Sequence, residues 1–269
     1  MGARHTAAAI LLGGTLAAAG CGPGRGPEGI ARPWPMPDVG SPSGDDPVPA
    51  PDQRVQRHQD LILPAMWLSA IYIGDEDVDG VANRDDFLSW VIASNGYWSR
   101  LSQYGVGFGT FVGSTRIPSD AFFTADELRA GFVSEDQLGK DIFNYASNAP
   151  YAENAMIFFM PLSMGITGTA GGAQASCSAF GGYHNYLTFS GGTASLPFAV
   201  IPPCANFPPD MPTSHELVEM ATNPVFGGWY DPKTGDEIGD LCNFPVEQPL
   251  NLWSPSRFWS NADGACVPP

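Results

Sequence analysis

An α+β domain, an α/β sandwich of interleaved helices and strands, is the fold class this sequence predicts, on three observations. Short apolar and β-branched runs (WLSAIYI, AMIFFM, FAVI) alternate along the chain with segments of helical character. Gly (32) and Pro (26) together make about a fifth of the 269 residues, too many for a helical bundle or coiled coil. Hydrophobic residues, at 43%, suffice for a core, and no internal repeat divides residues 55–269, so one domain is expected there.

Taken in order, Trp67 to Ile73 reads as a strand, mixing apolar and β-branched residues. Asp85 to Gln103 reads as a helix with Phe87, Trp90, Val91, Ile92, Trp98 and Leu101 on its apolar side. A second strand is expected near Val106 to Val112. Thr124 to Ala130 and Ser134 to Tyr145 are each opened by a hydroxyl residue followed by acids (TADE, SEDQ), which is a helix-start signal. Ala155 to Met160 and Phe198 to Ile201 are short enough and apolar enough to be buried strands. Gly165 to Gly192, rich in Gly, Ser and Thr, is expected to be loop with a hairpin.

The first 20 residues read as an export signal: Arg4 and His5, an apolar run from Ala7 to Leu16, then small residues. That run is too short to cross a bilayer, which needs about 20 apolar residues. The string LAAAGC resembles a bacterial lipoprotein signal cut before Cys21, with Ala18 where Leu is usual, so lipidation of Cys21 and membrane attachment are expected; the alternative is an ordinary signal peptide, an incidental Cys21 and a secreted protein. Residues 21–54, rich in Gly, Pro, Ser and Asp, read as a disordered tether. Setting Cys21 aside leaves Cys177, Cys204, Cys242 and Cys266, an even set in an exported chain. Three pairings are open, and the sequential one, Cys177–Cys204 with Cys242–Cys266, is preferred. No CxxC spacing occurs, which argues against a cysteine zinc site. With 28 acids against 12 Lys or Arg the net charge is −16, which excludes a nucleic-acid partner. A monomer is expected.

The chemistry centres on PTSHELVEMATNP. His215 and Glu219 are four apart and so project from one face of a helix, where both can grip one metal ion. Glu216 lies about 100° around, placed to hold a water on that metal and take its proton. The string is HExxE, a variant of the HExxH zinc-peptidase motif. A carboxylate in the second ligand position is harder than imidazole and reduces the net positive charge at the metal, so zinc is expected with better tolerance of Mn or Ca. The competing account is a capping box, Thr213 as N-cap and Glu216 reaching back to it, with His215 and Glu219 on the surface.

The block HELVEMATNPVFGGWYDPKTGDEIGDLC resembles the C-terminal half of the exordium, or phosphate-induced, family of exported proteins. That family carries HE-x-x-E, a TNP or TDP turn, a WY pair and an EI-x-D-x-C string. Upstream GGYHN and FAVIPPC and downstream FWSNADGAC fit its bacterial relatives. The likeness runs from about Ser176 to Cys266 and thins over IYIG and YWSRLSQYGVG. It implies a zincin-like domain and metal binding, and no particular substrate.

Third ligands can be weighed on spacing. Glu237 and Asp240 stand just before Cys242; in an extended segment they point to opposite faces, so one serves, and Asp240 is preferred. His184 is the rival, giving a two-His, one-carboxylate set, against a loop histidine bonded to backbone. Tyr183, Tyr230 or His184 are candidates to stabilise an oxyanion. Separately, Asp75, Asp77, Asp79 and Gly80 with Asp86 fit calcium-loop spacing and suggest a bound Ca2+. The expected function is an exported zinc hydrolase acting on a peptide or protein substrate. The alternatives are a non-catalytic envelope binding protein that keeps the metal as a structural clip, and a carbohydrate-binding surface built on Trp229, Trp253 and Trp259.

Overall fold

A computed structural model of the chain describes residues 55–59, 61–74, 78–93, 96–148, 154–168, 175–189, 195–205, 208–242, 245–246, 249–250 and 252–268. The export signal, Cys21, the tether, Asp75 and Asp77 lie outside these residues. The strands are β1 (Gln56–Arg57), β2 (Trp67–Ile73), β3 (Thr110–Ile117), β4 (Phe132–Ser134), β5 (Ala155–Phe159), β6 (Gly165–Thr167), β7 (Tyr183–Thr188), β8 (Ser195–Ile201), β9 (Trp229–Tyr230), β10 (Phe258–Ser260) and β11 (Ala265–Val267). The helices are α1 (Val78–Val91), α2 (Ser119–Phe122), α3 (Ala125–Ala130), α4 (Glu135–Asn148) and α5 (Asp210–Thr222), with 3-10 turns at Trp98–Tyr104 and Asp240–Cys242.

The centre is a five-stranded sheet of order β3-β2-β5-β8-β7. Neighbours are parallel from β3 through β8, while β7 runs antiparallel to β8 at the edge. Successive side chains on a strand face opposite ways, and here the alternation divides the core in two. Leu68, Ala70, Tyr72, Ala155, Ile157, Phe159, Ala199 and Ile201 pack with α1 and α5. Ile71, Ile73, Met156, Phe158, Phe198 and Val200 pack with α4 on the other face. β5 is buried at all five positions because both of its faces are covered, which is why it reads as an unbroken apolar run. The result is a mixed α/β sandwich with helices on both sides of the sheet.

Several expected elements form with shifted limits. The helix expected from Asp85 to Gln103 is two elements: α1 begins seven residues earlier, at Val78, and the chain resumes as the 3-10 turn Trp98–Tyr104. Gly105, at φ 84°, ends that turn in the left-handed region, so the following strand starts only at Thr110. The β2–β3 register shifts between Leu68 and Ser69, a bulge that turns Val112 outward. α3 keeps its predicted start: the Glu127 amide donates to Thr124 Oγ1 and the Thr124 amide to Glu127 Oε2, a full capping box. Of the stretch 165–192, expected to be loop with a hairpin, the described residues form β6, which pairs with β4, and β7, whose antiparallel partner β8 lies beyond the stretch at Ser195–Ile201.

The calcium-loop geometry does not form over its second half. From Val78 the chain is helical, so Asp79 and Gly80 sit in α1, and Asp86 points to solvent two turns on. Its neighbour Asp85 is spent on the sheet, accepting from Tyr72 Oη at 2.8 Å and Ser114 Oγ at 2.6 Å.

Both disulfides join in the sequential pairing, Cys177–Cys204 and Cys242–Cys266, with Cα separations of 5.1 and 5.7 Å. Of the three tryptophans that suggested a sugar-binding surface, Trp253 and Trp259 are buried in the core beneath α5. Trp229 is half-buried and its Nε1 donates to the Tyr104 carbonyl. The fully apolar platform such a surface needs is therefore turned inward. No helix among the described residues is long and apolar enough to cross a membrane.

Candidate metal centre

α5 carries the HExxE string, and every residue from Met211 to Thr222 is buried. Helices of this kind, covered all round, carry apolar residues on most of their circumference, and here Leu217, Val218, Met220 and Ala221 fill that role. Polar residues on such a helix need partners, which makes the stripe of His215, Glu216 and Glu219 the anomaly to explain. The capping-box account fails: the helix starts at Asp210, so Thr213 is inside it rather than at its N-cap, and its Oγ1 finds no hydrogen-bond partner. His215 and Glu219 are not on the surface either.

Two other segments close over that stripe. β7 brings His184, a strand residue facing α5 and not a loop histidine on backbone. Its Nδ1 lies 3.3 Å from Glu216 Oε2 and 3.6 Å from Glu219 Oε2. The segment after β9 brings Glu237 and Asp240. Glu237 Oε2 is 3.7 Å from His184 Nε2, and Asp240 Oδ1 is 3.7 Å from His215 Nε2. His215 Nε2 is in turn 3.2 Å from Glu219 Oε1. The expectation that only one of Glu237 and Asp240 faces the cluster is corrected: the chain turns into a 3-10 element at Asp240, so the two-residue alternation of an extended segment does not apply. Tyr183 packs on the opposite face of the sheet, and Tyr230 stacks on His58 at 3.6 Å, so neither joins His184 here.

His184, His215, Glu216 and Glu219 are each at most 1% exposed, and Glu237 6%. With Asp240, whose side chain is 10% exposed, four carboxylates are thus gathered largely out of water. Their ion pairs among the described residues are all with the two histidines, and none is with Lys or Arg. Burial pushes Glu219 well above the usual carboxylate range, with Asp240 and Glu216 adding to the effect. Burial likewise raises Glu237, against the pull of His184, and lifts Asp240 to about 6, against the pull of His215. Burial lowers the His215 imidazole. It would lower His184 too, but Glu237 and Glu216 outweigh it and leave that ring raised. The common cause is a deficit of positive charge in a dry site.

No family model, curated protein or solved structure matches this chain. The centre is therefore read from its own atoms.

Those atoms fit a divalent cation. Two ligand atoms, each about 2.1 Å from a tetrahedral ion, lie roughly 3.4 Å apart, and the pairs above bracket that value. The separations of 3.6 Å between His184 and Glu219 and 3.7 Å between His215 and Asp240 are too long for hydrogen bonds but right for sharing an ion. Glu216 Oε1, Asp240 Oδ1 and His184 Nε2 are buried without a hydrogen-bond partner. His215, Glu219 and Asp240 form one set able to hold an ion; His184, Glu216 and Glu219 form another.

Three contributors gave no signal in the sequence. Gly239 lies so close that a Cβ there would meet Glu219 Oε1 at 2.7 Å and the His215 ring at 2.9 Å. Asn223, just past α5, donates to Glu237 Oε1 and accepts from the Gly228 amide, which fixes the turn that returns the chain to the cluster. Phe226 packs on His184, with ring centroids 5.4 Å apart, while holding φ at 57°. A non-glycine residue in that region is uncommon, and here it places an aromatic ring over the histidine.

Proposed function

We propose that the protein is an exported, lipid-anchored, zincin-like hydrolase that uses a divalent metal, zinc by preference, to cleave peptide bonds. The observation that carries this reading is the buried cluster itself: an HExxE helix whose His215 and Glu219 share a metal-sized space with Asp240, in a group of four carboxylates short of positive charge. A bound cation would polarise a substrate carbonyl and ease ionisation of water. His215, Glu219 and Asp240 would hold it. Glu216, one residue from His215 and with a free Oε1, is placed to accept a proton from water and return it to the leaving amine.

The decisive experiment compares wild type with Glu216→Gln. Hydrolysis of casein or a peptide library by the zinc-loaded protein, lost in the variant while zinc at His215, Glu219 and Asp240 is retained, supports the enzyme. A purified protein that binds no divalent metal sinks the reading. One observation favours the second account, a binding protein with a structural metal: the histidines and Glu219 are closed from solvent, as in structural sites, which keep no open position. In that case Glu216→Gln changes no activity because there is none to lose.

A further inference from the structure

The cluster holds two ligand sets, not one, and they meet at a single side chain. Glu219 turns Oε1 to His215 at 3.2 Å and Oε2 to His184 at 3.6 Å, so its two oxygens serve different histidines. On the first side Asp240 Oδ1 completes a set with His215; on the second, Glu216 Oε2 completes a set with His184 at 3.3 Å. Within each set the ligand atoms lie within 4.8 Å of one another. The His184 ring turns Nδ1 toward Glu216 and Glu219, and Glu237, held by Asn223, sets a carboxylate 3.7 Å from its far nitrogen.

We propose that this site takes two divalent cations bridged by Glu219, the first held by His215, Glu219 and Asp240 and the second by His184, Glu216 and Glu219. The charge count favours it. One divalent ion leaves four buried carboxylates half compensated, whereas two compensate them fully with both imidazoles neutral. A carboxylate bridge also sets two ions at the spacing of about 3.5 to 4 Å typical of two-metal hydrolytic sites. Asp240 Oδ1, the oxygen that completes the first set, has no hydrogen-bond partner to compete for it, and the unpartnered Glu216 Oε1 leaves the second set an oxygen in reserve. The inference rests on the metal-dependent reading above and adds to it that Glu216 is a ligand of the second ion as well as a neighbour of the first.

The test is metal stoichiometry on the exported chain, by equilibrium dialysis against Zn2+ with elemental analysis. It is joined by electron paramagnetic resonance of the Mn2+-loaded protein. Two Zn per chain and an exchange-coupled Mn pair spectrum are expected, falling to one Zn and an isolated Mn sextet in His184→Ala and in Glu216→Gln. One Zn per chain with an isolated sextet in wild type overturns the second ion and leaves the single-metal reading standing; no Zn at all overturns both. The wild-type spectrum decides even if a variant fails to fold.

Discussion

The backbone amide of Asp240 donates to Glu219 Oε1 over 3.0 Å, so the segment after β9 is docked on α5 by a bond to one of the residues it completes a site with. That docking needs Gly239, whose missing Cβ is the clearance over Glu219 and His215. Gly239→Ala is expected to lower zinc affinity at least 10-fold and to cost about 1–3 kcal/mol of stability, the range for overpacking a close-fitted site. Calorimetric titration and urea denaturation check both, and unchanged affinity would show that the clearance is not needed.

The Cys242–Cys266 bridge ends the same segment two residues after Asp240. Its loop of 24 residues makes the cross-link worth about 3 kcal/mol in the chain-entropy account. Replacing both cysteines by Ser should lower the urea midpoint accordingly and weaken zinc binding. Replacing Cys177 and Cys204, which stand farther along the chain from any candidate ligand than Cys242 does from Asp240, should lower stability with less effect on zinc.

Asp141 gives a pH prediction away from the cluster. It lines a cleft of about 530 Å3 with Phe122, Phe123 and Tyr145, and burial raises its carboxyl to about 6, although Gln137 donates to it. Between the ordinary value of 3.8 and about 6 the folded chain keeps a proton that the unfolded chain has lost, so stability from this group rises as pH falls through that window. Above it the folded state carries an ill-solvated charge. Asp141→Asn should therefore stabilise the protein at pH 7.5 by roughly 1 kcal/mol, a figure reduced for a half-exposed group, and lose that advantage below about pH 4. Thermal melts across pH read it directly.

At the α3 start, Thr124→Ala removes the acceptor for the Glu127 amide and should cost about 1 kcal/mol without altering zinc binding. Equal damage to zinc affinity would mean that α3 and the cluster are coupled through the sheet.

Phe226 screens His184, and Phe226→Ala should speed the transfer of bound zinc to a chelator several-fold in stopped-flow assays. A rate no faster than wild type would show that another group controls access.

The sequence made much of this visible because the decisive residues are coded locally. The i, i+4 relation of His215 and Glu219 survives any detail of tertiary structure, and the apolar runs of β5 and β8 have few other uses than a sandwiched strand. What stayed hidden depends on distance in the chain. Whether Glu237 and Asp240 both face α5 turns on a 3-10 element that three residues cannot announce. The start of α1 lies in VDGVAN, where a glycine and polar residues conceal helix, and its pairing partners decide it. Gly239 and Phe226 matter only for what lies against them.

α5 is enclosed by parts of the chain made before and after it. The Leu63 amide donates to the Ala221 carbonyl at one end, and the Ser256 amide donates to Ser214 Oγ at the other. A ribosome delivers His215 about 25 residues ahead of Asp240, so the acidic stripe has only β7 against it until that later segment arrives. A chain halted before Glu237 would present that stripe to water and to proteases, so closure of the centre is tied to arrival of the segment that carries Glu237 and Asp240.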